Sequence, residues 1–89
     1  MPTRTVTIAS SVGLHARPAA LLASAVNDSG LEVTVALPGG EAVDAGSILE
    51  VMTLGAAHGD VVTLSADGEG ADAALDSLVE LLSRDLDNE

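Results

Sequence analysis

The sequence contains no cysteine, phenylalanine, tyrosine or tryptophan. Without cysteine there can be no disulfide, no thiolate nucleophile and no cysteine-based zinc site. Without aromatic side chains the core must be filled by Val, Leu, Ile and Ala, and a deep aromatic-walled pocket for a small molecule is disfavoured. An ordinary small-molecule enzyme is therefore a poor fit to this composition.

Basic residues are also scarce. The chain has no lysine and three arginines, Arg4, Arg17 and Arg84, against 14 acidic residues, for a net charge of −11. A field of this sign repels nucleic acids and anionic membrane surfaces. The opening MPTRTVTIAS lacks the apolar run of a signal peptide, and no stretch approaches the roughly 20 apolar residues of a membrane helix. We therefore expect a cytoplasmic protein that neither binds nucleic acid nor inserts into membranes.

Apolar periodicity predicts four strands and three helices in the 89 residues. Strands are indicated where polar and apolar residues alternate, and helices where apolar residues recur at i, i+3, i+4 and i+7. The short middle helix is indicated by a capping box, in which Ser47 is followed three residues later by Glu50. In chain order the predicted segments are a strand over 5–8, a helix from Pro18 to the Asn27–Gly30 turn, strands over 31–37 and 41–44, a helix from Ser47 to Leu54, a strand over 61–66 and a helix over 71–82.

This order of elements predicts one α+β domain over residues 1–89. Strands that are polar at alternate positions suit an antiparallel sheet with one covered and one solvated face. We expect an open-faced β-sandwich with the order β-α-β-β-α-β-α, in which three helices cover one face of a four-stranded antiparallel sheet.

His15 stands near the predicted start of the first helix, with Gly13 before it and Arg17 after it. A helix N-terminus presents unpaired N–H groups and a partial positive charge that bind anions, and a guanidinium matches phosphate oxygens. The same positive charges disfavour an imidazolium, so we expect the pKa of His15 to lie below its usual value of about 6.5, leaving a neutral, nucleophilic ring. From the residues alone, a capping or surface histidine beside a solvated Arg17 remains an open alternative.

The run GLHARP, from Gly13 to Pro18, is followed some thirty residues later by SILEVM, from Ser47 to Met52. These paired motifs resemble those of the HPr family, the phosphocarriers of the bacterial phosphoenolpyruvate:sugar phosphotransferase system. The resemblance implies that His15 accepts a phosphoryl group at Nδ1 from phosphorylated enzyme I and passes it to EIIA proteins or domains. It further implies that the Arg17 side chain and the backbone N–H groups of Ala16 and Arg17 stabilise the phosphate. The chain would then be a stoichiometric carrier and not an enzyme by itself, without metal or organic cofactor.

Val12 departs from a common pattern of the family, which often has Asn or Ser there to hydrogen-bond the active ring. Ser11 or the backbone could take over that hydrogen bond. Val12 therefore leaves open how the His15 ring is oriented, but it does not weaken the resemblance to the family.

The short middle helix carries more apolar residues than one buried stripe can hold, so some of them must face solvent. Val51 fits a buried position, and Ile48 fits one in part. The resemblance implies a partner-docking surface around His15, which we define as Ala16, Ala20, Leu21, Ile48, Leu49 and Met52. Because few basic residues surround it, partner binding should depend on salt less than in lysine-rich relatives. A carrier that shows one face to successive partners is expected to be a monomer.

Ser47 aligns with a serine that a dedicated kinase phosphorylates in some relatives, which implies a regulatory site and a serine kinase or phosphatase as a further partner. The alternative is a plain helix cap worth about 1 kcal/mol. If Ser47 is a regulatory site, a second function is possible: an HPr-fold regulatory module that acts through phosphorylated Ser47 and protein binding. Relatives of that kind lack the active histidine, whereas this chain has both His15 and Arg17.

The remaining titratable residues suggest no second site. His58 lies in a Gly-Asp turn, where we expect an exposed turn residue and no metal ligand. Asp72, Asp76 and Glu80 read as the solvated face of the last helix.

Overall fold

The computed structural model describes residues 2–9, 13–14 and 16–83, and it contains the seven predicted elements in the predicted order. The elements are β1 (Thr3–Thr7), α1 (Ala16–Ser29), β2 (Val33–Ala36), β3 (Val43–Asp44), α2 (Ile48–Leu54), β4 (Val61–Ala66) and α3 (Ala71–Leu82). Four residues named above lie outside the described residues, so the expectations for them stay predictions; they are Ser11, Val12, His15 and Arg84.

The four strands form one antiparallel sheet in the order β1-β4-β2-β3. The register pairs Val6 with Val62 and Val35 with Leu64, and all four side chains are buried. Alternate positions carry threonine and serine, which face the uncovered side and are exposed or half-buried. This alternation confirms the predicted fold, a sheet covered on one face and open on the other.

The helices supply the other half of a core built from aliphatic side chains. Helix α3 packs on β1 and β4, and α1 lies against both α2 and α3. Each long helix buries one stripe, as the sequence spacing predicts. The buried positions are Pro18, Ala19, Leu22, Ala23 and Val26 in α1, and Ala71, Leu75, Leu78 and Leu82 in α3.

Strand β2 is shorter than the predicted 31–37. Gly30 adopts a positive φ of 72° after α1, and the Leu31 N–H donates to the Ser29 hydroxyl at 3.2 Å, so Leu31 belongs to the turn. Strand β1 ends at Thr7, one residue earlier than predicted, although Ile8 continues the backbone pairing by donating its N–H to the Asp60 carbonyl at 2.8 Å. The predicted alternation therefore extends one residue past the regular strand.

Among the described helices, none is long and apolar enough to cross a membrane.

Candidate functional site at the start of helix α1

Helix α1 begins at Ala16, the residue that follows His15 in the sequence. Ala16 and Arg17 are exposed, whereas Pro18 and Ala19 are buried, so the first turn has one face in solvent and one in the core. Pro18 occupies the first turn, as predicted, where its missing N–H costs no helical hydrogen bond. The first turn carries no acidic side chain. The exposed start of the helix at Ala16 and Arg17 is therefore suited to an anion.

Arg4 and Arg17 have different surroundings. Arg4 binds two carboxylates of α3, with Nε donating to Asp76 and Nη2 donating to Asp72, each at 3.0 Å. These hydrogen bonds, first that to Asp76 and then that to Asp72, raise the pKa of Arg4 above its usual value. The expectation that Asp72 and Asp76 form a purely solvated face was therefore incomplete, because both carboxylates join α3 to β1. Arg17 lies in the exposed first turn of α1.

The two residues before His15 are held by the α2–β4 loop (residues 55–60). The Leu14 N–H donates to the Ala56 carbonyl at 2.9 Å, and both side chains are buried in the core. Gly13 has a positive φ of 69°, which glycine adopts without a steric penalty. A Cβ at Gly13 would collide with the Ala56 carbonyl oxygen and lie 2.8 Å from the Ala57 Cα. Gly13 is thus required both by its φ and by this close approach.

Helix α2 presents two apolar residues to solvent beside α1. The exposed fractions are 76% for Leu49 and 44% for Ile48, while Val51 is fully buried. The expectation for Val51 is thus correct, and a buried position for Ile48 was wrong, because Val51 is the residue of α2 that is fully buried, whereas Ile48 exposes nearly half of its surface. Met52 is half-buried and packs against the core, so only part of its side chain reaches the surface.

The α1 part of the docking surface is less exposed than the α2 part. Ala16 is exposed, whereas Ala20 and Leu21 are half-buried. Because α1 and α2 pack against each other, the six residues of the docking surface come from two neighbouring helices. Their side chains are apolar, and exposed apolar side chains that lie together on a protein surface mark a protein-binding site.

Ser47 caps α2, but the capping box is only half formed. The Ser47 hydroxyl accepts from the Glu50 N–H at 3.3 Å, as predicted. The Glu50 carboxylate instead accepts from the Asp44 N–H at 3.4 Å, because the Ser47 N–H already donates to the Asp44 carbonyl at 3.1 Å. Ser47 is half-buried and has these two acidic residues close by in the structure.

His58 is exposed in the turn before β4, as expected. Within residues 2–9, 13–14 and 16–83, no group of three His, Asp or Glu side chains is placed to hold a metal ion.

Comparison with known proteins decides the family. The model for the "PTS HPr component phosphorylation site" matches residues 2–84. This chain belongs to the HPr family. HPr proteins are phosphocarriers, and the phosphocarrier protein HPr of Streptomyces coelicolor is 41% identical over 87 residues, covering 98% of this chain and 94% of that protein.

Solved HPr structures share the fold. The crystal structure of HPr from Thermoanaerobacter tengcongensis has a TM-score of 0.85 at 38% identity, covering 92% of this chain and 91% of that chain. Crh of Bacillus subtilis, described as a catabolite repression protein that crystallised as a swapped dimer, has a TM-score of 0.68 at 32% identity, covering 97% of this chain and 98% of that chain. The open sheet with three helices is therefore the HPr fold.

Proposed function

We propose that this HPr protein, as a single domain over residues 1–89, carries a phosphoryl group on His15 in the cytoplasm. The group is accepted from phosphorylated enzyme I and passed to EIIA components, which use it in sugar uptake. The observation that carries the proposal is the first turn of α1. It directly follows His15, exposes Ala16 and Arg17, and holds no acidic side chain in a chain of net charge −11.

The reaction is an exchange of one P–N bond for another. A neutral Nδ1 of His15 attacks the phosphorus, and the bond from phosphorus to the donor histidine of enzyme I breaks. The charge of the phosphoryl oxygens is met by the Arg17 guanidinium and the backbone N–H groups of Ala16 and Arg17. Alignment and charge stabilisation suffice for this transfer, so no metal or cofactor is needed from this chain.

Partner recognition is assigned to the docking surface. Leu49 and Ile48 provide its most exposed apolar atoms, and adaptable apolar contacts suit a carrier that binds enzyme I and EIIA in turn. We propose that the carrier is a monomer, since both partners must reach the same face.

The chain contains two histidines, which gives the test a matched control. Purified protein is incubated with enzyme I and labelled phosphoenolpyruvate, and the label is tested for lability in acid and stability in base. We expect a phosphohistidine on the unmodified chain and on His58→Ala, and none on His15→Ala. No acid-labile label on the unmodified chain, or label retained by His15→Ala, contradicts the proposal.

The second candidate is a regulatory module controlled by phosphorylation of Ser47, and the likeness to Crh favours it. The surroundings of Ser47 are less favourable, because Asp44 and Glu50 both contact Ser47 through their backbones and are negatively charged, as a phosphate would be. Incubation with a serine kinase and labelled ATP separates the candidates. The regulatory module would be supported if the unmodified protein takes up an acid-stable label and forms no phosphohistidine, and if Ser47→Ala does not take up that label.

A further inference from the structure

We propose that Asp60 is a positioning residue for His15, acting through the α2–β4 loop. This inference rests on the proposed function. Its physical basis is a short chain of contacts among described residues that leads from the Asp60 carboxylate to Leu14, the neighbour of His15 in the sequence.

The first contact folds the loop back on itself. The Asp60 carboxylate accepts from the Ala57 N–H at 2.9 Å, and the Asp60 N–H donates to the Ala57 carbonyl at 3.0 Å. Two hydrogen bonds between the same pair of residues, one through a side chain, close the turn that contains His58 and Gly59. Asp60 as a residue is half-buried, although its hydrogen bond to Ala57 lies at the surface.

The closed turn is tied to the end of β1. The Asp60 carbonyl accepts from the Ile8 N–H at 2.8 Å, and the Gly59 N–H donates to the Ile8 carbonyl at 2.9 Å. Ile8 is buried. One end of the turn is therefore fixed to the sheet, and the Asp60 carboxylate transmits this fixed position to Ala57.

Ala56 and Ala57 are the surface on which the segment before His15 rests. Gly13 packs against the backbone of both residues, and the Leu14 N–H donates to the Ala56 carbonyl. His15 stands in the sequence between this anchored Leu14 and Ala16, the first residue of α1. Loss of the Asp60 carboxylate frees Ala57, loosens the Leu14 anchor and widens the range of positions open to the imidazole. Phosphoryl transfer depends steeply on such alignment.

The test compares four variants. Asp60→Ala removes the acceptor, while Asp60→Asn keeps an acceptor oxygen and removes the charge. Asp67→Ala is the matched control, because its carboxylate also accepts from a loop N–H, that of Gly68, at the opposite end of β4. Asp60→Glu keeps the charge but moves the carboxylate by one methylene. Each variant is first checked for a native circular dichroism spectrum and a cooperative unfolding transition.

Two measurements are made. One is the rate of phosphoryl transfer from enzyme I at saturating enzyme I, which separates alignment from docking. The other is NMR of the unphosphorylated protein, which reports hydrogen exchange of the Leu14 amide and the resonances of the His15 ring. We expect Asp60→Ala to slow transfer on the order of tenfold, to speed exchange at Leu14 and to shift the His15 resonances. Asp60→Asn and Asp67→Ala should resemble the unmodified protein.

A folded Asp60→Ala protein with an unchanged transfer rate overturns the inference, and so does unchanged exchange at Leu14. If Asp60→Ala does not fold, Asp60→Glu decides, with slower transfer and faster exchange at Leu14 expected. If the unmodified protein accepts no phosphate at all, the proposed function fails, and the Leu14 exchange and His15 resonances still decide whether Asp60 positions this segment.

Discussion

At the scale of single residues, two glycines with nearly the same backbone conformation have different surroundings. Gly13 has a φ of 69° and Gly30 a φ of 72°, but a Cβ at Gly13 would enter the Ala56–Ala57 backbone, whereas one at Gly30 would meet nothing within 4 Å. We expect Gly30→Ala to lower the free energy of unfolding by about 1 kcal/mol, the cost of a side chain in the left-handed region. Gly13→Ala should lower it by about 2–4 kcal/mol, because overpacking is added. Urea unfolding of both variants measures the difference, and equal losses would contradict the close approach.

A second prediction at this scale concerns the positive charge of Arg17, which follows His15 by two residues in the sequence. The positive charge of Arg17 should disfavour the imidazolium, so Arg17→Ala is expected to raise the pKa of His15. An NMR titration of the ring protons follows this pKa, and Arg4→Gln serves as the control because Arg4 is bound to α3. A pKa of His15 above 7 in the unmodified protein would contradict the electrostatic argument.

At the scale of elements, α2 divides its apolar side chains between core and surface. Leu49 is 76% exposed, so Leu49→Ala should change the free energy of unfolding by no more than about 0.5 kcal/mol. If α2 belongs to the docking surface, the same variant should raise the KM of enzyme I for this carrier as its substrate, on the order of three- to tenfold. Val61→Ala, which alters an apolar residue 40% exposed on the open face of the sheet, should leave this KM unchanged. Equal KM values for all three proteins would exclude Leu49 from the docking surface.

At the scale of the whole molecule, charge is segregated along the chain. All 14 acidic residues lie at or after Asp28, so β1 and all but the last two residues of α1 are free of carboxylates. A net charge of −11 makes the folded state repel itself, and salt screens this repulsion. We expect Tm to rise by several degrees between low salt and 1 M NaCl at pH 7, and the rise to shrink near pH 4, where carboxylates become protonated. A Tm that falls with salt would show that the Arg4 ion pairs outweigh the repulsion.

Much of this architecture is predictable from the sequence because it depends on local periodicity. Strand β4 and helix α3 have the predicted bounds, since both have a regular apolar pattern and both directly follow turn residues. Ser47 as a cap and Pro18 in the first turn of α1 are also local features. These elements could be predicted because the apolar pattern that defines each of them lies within its own segment of the sequence.

The contacts that were missed join distant parts of the chain. Arg4 lies 72 residues from Asp76, and Leu14 meets Ala56 only because the sheet order brings the α2–β4 loop beside it. The Glu50 carboxylate, for which a local rule predicted a partner, binds Asp44 instead because the turn had already occupied the Ser47 N–H. Such pairings require the topology and cannot be read from spacing.

The sheet order has a consequence for synthesis of the protein on the ribosome. Strand β1 is made first, yet its partner β4 spans Val61–Ala66 and the helix that packs on it ends at Leu82. The same β4 joins β1 to β2, so no sheet of more than two strands can form before it emerges. A nascent chain must therefore keep its first strand unpaired until most of the sequence has been translated, and pairings of such separation are slow to form.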